Sequence, residues 1–177
     1  MRKILFAFLG LCALSCSSDD DSNTDTTPAI VGTWVISEFN VENDSFDLNN
    51  DGVESSDLIA ETGCYQGESI VFNADGTGSV TYTTDLDLTL TNQNNVETFS
   101  YVCEEDNFIF NFTWTQSANG SFVASAGGED VIFTLPSNNV LVRPSFFEYE
   151  IVFLDANGDV SSTTFSDSDA TNVFVKQ

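Results

Sequence analysis

The chain has 177 residues, which is enough for one domain with a sizeable core, and 41% of them are hydrophobic. It carries 28 acidic and four basic residues, for a formal net charge of −24. A surface this negative repels phosphate backbones and anionic lipid headgroups, so we exclude nucleic acid as a partner. Solubility in a salty medium and cation binding are two explanations of the acidity.

Residues 1–15 are predicted to be a lipoprotein signal peptide, because a basic start is followed by an apolar run and by small residues before a cysteine. The run is too short to span a bilayer as a mature helix. Its end, Ala13-Leu14-Ser15-Cys16, resembles a bacterial lipobox, in which Cys16 becomes the lipidated first residue of the mature protein. A secreted protein that is cleaved elsewhere and carries no lipid is the alternative.

Residues 16–28 are polar and acidic and are predicted to form a flexible tether, because they cannot bury enough apolar surface to become ordered. The Ser and Asp residues at 17–21 also resemble the signal that sends lipoproteins of the Bacteroidetes to the outer face of the outer membrane. A plain spacer is the alternative. We therefore expect an outer membrane lipoprotein that is exposed at the cell surface and contacts the membrane only through its lipid anchor.

Residues 29–177 are predicted to form one all-β domain. Sixteen Phe and abundant Thr, Ser and Val favour pleated strands over helices. Period-two alternation and Gly or Asn turns divide the chain into short strands, predicted at 30–41, 68–73, 78–90, 96–103, 108–114, 121–125, 130–135, 140–143, 147–154, 160–165 and 172–176. An antiparallel meander of this size either stacks as a sandwich or closes into a barrel, and closure removes edges that would aggregate.

The stretch 47–64 is the one part of the domain that does not have a strand pattern. Asp47, Asn49 and Asp51 place side-chain oxygens at alternate positions before Gly52, where the backbone must turn sharply. Loops of this kind wrap a hard cation, so the sequence predicts a calcium site. Leu58 stands where an EF-hand has its bidentate Glu, and an Asx-turn loop bonded to its own backbone is the alternative. The predicted ligands are Asp47, Asn49, Asp51, the carbonyl of Val53, and Asp57 or Glu61 to complete the shell.

Two strands carry aromatic faces. Alternate positions on one face of each strand are large and apolar, and together with Trp34 they either fill the barrel as core or line a pocket at its open end. These positions are Phe108, Phe110, Phe112 and Trp114 on the first strand, and Phe147, Tyr149, Ile151 and Phe153 on the second.

Cys64 and Cys103 remain as an even pair if the signal peptide is removed and Cys16 is lipidated. In an oxidising compartment we expect them to form one disulfide, which would pin the end of the 47–64 stretch to a later strand. No histidine is present, which excludes Ser-His-Asp triads and His-ligated zinc. Carboxylate pairs are expected by chance in so acidic a chain, so we expect no enzyme.

The first strand, IVGTWVISEFNV, resembles that of the lipocalin-like lipoproteins of the Bacteroidetes, and so do the later SIVFNADGTGS, the acidic loop, Cys64 and the closing NVFVKQ. The resemblance implies a single antiparallel up-and-down β-barrel of about eight strands. It also implies Trp34 across the closed end of the barrel. The residues of the 47–64 stretch themselves predict one short helical turn in the loop after the first strand.

We therefore expect the barrel to bind a small apolar or amphipathic molecule. The alternative is a non-catalytic surface module with a filled interior, which would contact another protein or a glycan. The sequence does not identify a protein partner.

Overall fold

The structure, a computed structural model, describes residues 27–177. The predicted signal peptide, Cys16 and most of the predicted tether lie outside the described residues. Within the described range, none of the helices is long and apolar enough to cross a membrane. The elements in chain order are β1 (Gly32–Val41), α1 (Leu58–Thr62), β2 (Ser69–Phe72), β3 (Thr77–Gln93), β4 (Val96–Gln116), β5 (Phe122–Ala126), β6 (Glu129–Ser137), β7 (Val140–Leu154) and β8 (Val160–Lys176).

These strands form a closed barrel. Each strand pairs antiparallel with the next one along the chain, and β1 also pairs antiparallel with β8, which completes the ring. The predicted all-β fold is therefore confirmed as a single antiparallel up-and-down barrel of eight strands. The predicted helical turn in the loop after the first strand is confirmed as α1.

One end of the barrel is closed around Trp34. Its indole is fully buried, and Nε1 donates a hydrogen bond to the Ile30 carbonyl at 2.7 Å. Lys176 at the end of β8 places Nζ 5.2 Å from the centroid of the indole ring and donates to the Ala29 carbonyl at 2.7 Å. The segment that leads into β1 and the end of β8 therefore meet at this closed end.

The core follows the alternation of inward and outward side chains along each strand. Ile70 and Phe72 of β2, Leu141 of β7 and Phe174 of β8 are each at most 1% exposed. These side chains fill the barrel from the closed end upward. We call this the lower half of the barrel, and the upper half is the part away from Trp34.

Gly78 in β3 is a position of close approach in the lower half. A Cβ on this residue would lie 2.3 Å from the Phe112 ring and 2.5 Å from the Val71 carbonyl oxygen. Both distances are shorter than van der Waals contact, so only glycine fits without a shift of its neighbours.

Strands β4, β7 and β8 are each continuous, whereas the sequence pattern divided each of them into two. That prediction is wrong because the acidic stretch around 104–107, which lacks a strand pattern, continues the ladder: Glu104 pairs with Asp85, and Glu105 pairs with Thr84. The upper half of β4 is exposed on both faces, and so is the first part of β8. Such segments lose the alternation that marks a half-buried strand.

The upper ends of the β3–β4 and β7–β8 hairpins are joined by a parallel pairing that the sequence did not predict. It runs from Thr89 opposite Glu150 to Gln93 opposite Leu154. β2 pairs with β3 only up to Thr81, and β6 pairs with β7 only up to Val142. The edges of β3 and β7 above these residues are therefore free to pair with each other.

The segment between β1 and β2 packs against the same hairpins. Phe46 makes edge contacts with Phe99 and Tyr149, with ring centroids 5.4 and 5.8 Å apart. Cys64 and Cys103 form a disulfide with their Cα atoms 5.5 Å apart, which confirms the predicted bridge. The end of this segment is therefore fixed covalently to β4.

Candidate functional site

A cavity of about 480 Å³ lies above the closed-end core and below the level at which β3 and β7 begin to pair. β3 has a bulge at this level, between Tyr82 and Thr84. Bulges re-aim the side chains beside them and are common next to binding sites. The walls come from Phe39 on β1, Tyr65 and Glu68 before β2, residues between 82 and 87 on β3, Asp106 on β4, residues between 143 and 148 on β7, and Asn172 on β8.

Glu68 is a buried carboxylate in this cavity and is 3% exposed. It lies just before β2, and its side chain points into the barrel on the same side as those of Ile70 and Phe72. Its backbone is held at both ends, since its N–H donates to the Tyr65 carbonyl at 3.2 Å and its carbonyl accepts from the Ile36 N–H at 3.0 Å. These two backbone hydrogen bonds hold Glu68 in the orientation that directs its carboxylate into the interior.

The pKa of Glu68 is raised to about 7, first because burial disfavours the charged form. Arg143 acts in the opposite direction, while the negative charges of Asp85 and Asp106 raise the pKa further. Near neutral pH this carboxylate is therefore poised between its neutral and its ionised form.

Arg143 is the basic side chain of the cavity lining. Nη1 donates to the Tyr82 hydroxyl at 3.3 Å, and the guanidinium carbon lies 5.8 Å from the centroid of the Phe174 ring. Nε is buried and has no hydrogen-bond partner among the described residues. Nearby, Asn172 is 1% exposed, and its Oδ1 is also buried without a partner within residues 27–177. Unsatisfied groups of this kind are rare in interiors, and they mark places where a water or a ligand is needed.

Aromatic rings form much of the remaining wall. Phe39 lies 4.8 Å from Tyr65 and 6.1 Å from Phe147, measured between ring centroids, and each of the three is at most 6% exposed. Burial raises the pKa of the Tyr65 phenol, and the negative charges of Asp85 and Glu68 add to that effect. The phenol therefore stays protonated and remains a hydrogen-bond donor.

A second, smaller cavity of about 100 Å³ adjoins the first. Tyr82 and Arg143 line both, so their hydrogen-bonded pair forms a shared wall. The other walls of the small cavity are mostly apolar and include Phe112, Ala124 and Phe133. The interior thus offers a polar chamber and an apolar one side by side.

The predicted calcium loop bonds its own backbone, with Asx turns at Asn49 and Asp51. Asp47 Oδ2 accepts from the Gly52 N–H at 3.1 Å, Asn49 Oδ1 accepts from the Asp51 N–H at 2.9 Å, and Asp51 Oδ1 accepts from the Val53 N–H at 2.8 Å. Oδ1 of Asp47 is buried and has no hydrogen-bond partner in the described part of the chain. In the described structure the loop therefore has a buried carboxylate oxygen without a partner, next to side chains that bond their own backbone.

Asp57 and Glu61 support this loop from α1. Asp57 Oδ1 accepts from the Ile59 N–H at 3.1 Å, which caps α1, and from a β1 N–H at 2.9 Å. Glu61 is 4% exposed, and its Oε2 accepts from the Leu48 N–H at 2.9 Å and from the Asn49 N–H at 3.4 Å. Across residues 27–177, no group of three or more His, Cys, Asp or Glu side chains is placed to hold a metal ion.

The predicted aromatic positions divide into several environments. Phe108 and Phe153 face solvent because the upper half of β4 has no neighbour on the β5 side and the hairpin tips extend beyond the core. Trp34, Phe112, Trp114 and Phe147 are buried, Tyr149 and Ile151 are half-buried, and Phe108, Phe110 and Phe153 are 51%, 40% and 38% exposed. Phe147 lines the larger cavity, while Phe110 and Phe112 line the smaller one.

The polar residues of the cavity were not identified from the sequence. Their positions in the alternating pattern could have indicated them. Glu68 lies two residues from Ile70, Arg143 two from Leu141 and Asn172 two from Phe174, so each points to the same inward side as a core residue. Polar side chains at inward positions indicate either a compensated core or a cavity, and local alternation does not distinguish the two.

A closed antiparallel barrel with an internal cavity is the architecture of lipocalin-type proteins. The chain belongs to the family described as the lipocalin-like domain, whose model matches residues 30–142. No curated protein has significant sequence similarity to the chain.

Solved structures similar to this one include a complex of bovine odorant-binding protein with undecanal and an odorant-binding protein from bovine nasal mucosa. Each has 14% sequence identity and a TM-score of 0.32, and each match covers 85% of this chain and 72% of the other.

Proposed function

We propose that this protein is a non-catalytic binding protein that holds a small amphipathic molecule inside its barrel. The observation that supports this function best is the pair of adjoining chambers, one polar and about 480 Å³, the other apolar and about 100 Å³. Small-molecule sites are concave and combine apolar walls with a few placed polar groups. A ligand with a polar head and a short apolar tail matches both chambers.

The alternative expectation, a surface module with a filled interior, is less well supported because the interior is not filled at the level of the cavity. Asn172 and Arg143 line that space, and each has a buried polar atom without a partner among residues 27–177. A barrel selected only to present its outer surface gains nothing from such atoms, each of which costs about 1–3 kcal/mol when it stays unpaired.

Titration with a neutral hydrophobic fluorophore, N-phenyl-1-naphthylamine, tests ligand binding. We expect the fluorescence of the probe to rise and saturate as it binds the folded protein. Ala126→Leu, which adds bulk to the wall of the small cavity, should weaken it. Val123→Leu, three residues earlier on the same strand but on the outward face, is the matched control. A linear, non-saturating response would contradict the proposal.

We also propose that the chain is a lipoprotein anchored through Cys16 at the outer face of the outer membrane. The support is the lipobox-like sequence before Cys16 and the polar stretch after it. Metabolic labelling with an alkyne fatty acid should modify the wild type but not Cys16→Ser, and protease added to intact cells should degrade the wild type. Unlabelled wild-type protein would contradict lipidation, and protease resistance would contradict surface exposure.

The third part of the proposal is that the 47–61 loop binds calcium. The support is the alternation of oxygen ligands and the buried Oδ1 of Asp47, which has no partner within the part of the chain that the structure describes. Calcium should then raise the melting temperature of the wild type relative to a chelator, and Asp51→Ala should abolish that difference. Asp159→Ala, in the turn after β7, is the control, and equal melting temperatures for the wild type in calcium and in chelator would contradict the proposal.

A further inference from the structure

The larger cavity has a strong excess of negative charge. Its lining includes Glu68 in the interior and four exposed carboxylates along the rim, which belong to Asp85, Asp87, Asp106 and Glu148. Arg143 is the basic side chain that faces them. A cleft lined by one sign of charge between low-dielectric walls focuses the field and concentrates ions of the opposite sign.

A second observation points to a hydrogen-bond donor on the ligand. Oδ1 of Asn172 is a buried acceptor with no partner among residues 27–177, on a side chain that is 1% exposed and lines the cavity. Glu68 lines the same space and adds further acceptor oxygens. A ligand N–H would satisfy these acceptors, and leaving a buried acceptor unpaired is costly.

The aromatic wall is the third observation. Phe39, Tyr65 and Phe147 surround the space beside Glu68, with the closest ring centroids, those of Phe39 and Tyr65, 4.8 Å apart. The faces of aromatic rings attract cations, most strongly where water is excluded. Acidic groups combined with aromatic rings are the chemistry that recognises an organic ammonium ion.

We propose that the larger cavity selects an organic cation, a small amine with an apolar substituent, whose ammonium group lies between Glu68 and Asn172. This inference rests on the proposed function, because it names the head group of the ligand that the barrel holds. The apolar substituent extends past Tyr82 toward the smaller cavity.

Two other occupants are less suited to the site. A bare metal ion needs converging ligands, and in the described part of the chain no three carboxylates, thiolates or imidazoles converge in that way. An anionic head group could pair with Nε of Arg143, which has no partner among residues 27–177, but it would be repelled by the five carboxylates of the lining. Charge therefore favours the cation.

Titration calorimetry with three probes of the same chain length tests the proposal on the full chain: octylammonium, 1-octanol and octanoate. At about pH 8, where Glu68 is ionised, octylammonium should bind at least about tenfold more tightly than the other two. Its affinity should fall at high ionic strength, because exposed rim charges are screened.

Burial raises the pKa of Glu68 to about 7, against the opposing charge of Arg143 and with the help of Asp85 and Asp106. The affinity for octylammonium should therefore weaken as the pH is lowered from about 8 to about 6, since Glu68 takes up a proton. The affinity for 1-octanol should stay constant over the same range.

Two variants test the residues. Glu68→Gln should reduce the affinity for octylammonium by about tenfold and leave that for 1-octanol unchanged. Asp85→Asn at the rim should give a smaller loss, of about two- to threefold, because its charge is screened by solvent. Glu97→Gln, which makes the same change of charge near the tip of the β3–β4 hairpin, is the matched control and should bind like the wild type.

The outcomes separate this inference from the proposed function. Equal or tighter binding of 1-octanol or octanoate would overturn the preference for a cation while the barrel remained a ligand-binding protein. Selective binding of octylammonium that Glu68→Gln does not weaken would overturn the assignment of the head-group site. Absence of binding by all three probes would overturn both.

Discussion

Replacement of Glu68 by Gln should change how the stability of the protein depends on pH. The pKa of this carboxyl rises from 4.5 to about 7 on folding, chiefly through burial. Between those values the native protein keeps a proton that the unfolded chain releases, so the contribution of Glu68 to stability is most favourable at low pH and is lost as the pH rises through this window. With about 1.36 kcal/mol per pKa unit, ionised Glu68 costs the native state about 3 kcal/mol at high pH.

The assay is urea unfolding followed by tryptophan fluorescence at several values between about pH 4.5 and pH 8. The free energy of unfolding of Glu68→Gln minus that of the wild type should increase by about 3 kcal/mol across this range, because glutamine does not titrate. Glu97→Gln separates the effect of burial from the loss of one charge. A difference between Glu68→Gln and wild type that stays constant with pH would refute the reasoning.

Three further predictions concern stability. Replacing Cys64 and Cys103 together by Ala should cost about 4 kcal/mol in chemical unfolding, since the bridge spans 39 residues; an unchanged midpoint would argue that the unfolded chain is already compact. Gly78→Ala should cost about 1–3 kcal/mol because its Cβ meets the Phe112 ring, and a melting temperature equal to wild type would contradict that contact. Trp34→Ala should cost about 3–5 kcal/mol through the lost burial and hydrogen bond, and calorimetry showing less than about 1 kcal/mol would mean that the closed end does not need its indole.

The features that the sequence predicted well depend on local information. Alternation along β1 and β2, Gly and Asn turns, and the capped turn that begins at Asp57 are each specified within a few residues. The bridge between Cys64 and Cys103 followed from counting cysteines in a chain predicted to be exported. These features were enough to predict an all-β domain with one helical turn, and the resemblance to lipocalin-like proteins added the closure of the barrel.

The features that the sequence did not predict depend on distant partners. The pairing of Thr89 with Glu150 arises because β2 and β6 leave the edges of β3 and β7 free above Thr81 and Val142, which no pattern inside β3 or β7 reports. The cavity forms where Glu68, Arg143 and Asn172 come together on its wall, and these residues lie on elements far apart in sequence. Periodicity indicates which face a residue occupies but does not indicate what lies opposite.

The start of the described residues and the end of β8 meet beside Trp34, which has a practical consequence for handling the protein. Pro28 and Lys176 lie on the same side, while the cavity lies higher up, at residues 84–87 and 145–148. Immobilisation on a sensor chip through the C-terminus should therefore leave the entrance unobstructed. An affinity handle inserted at the 94–95 or 156–158 hairpin tip would instead project from the opposite side.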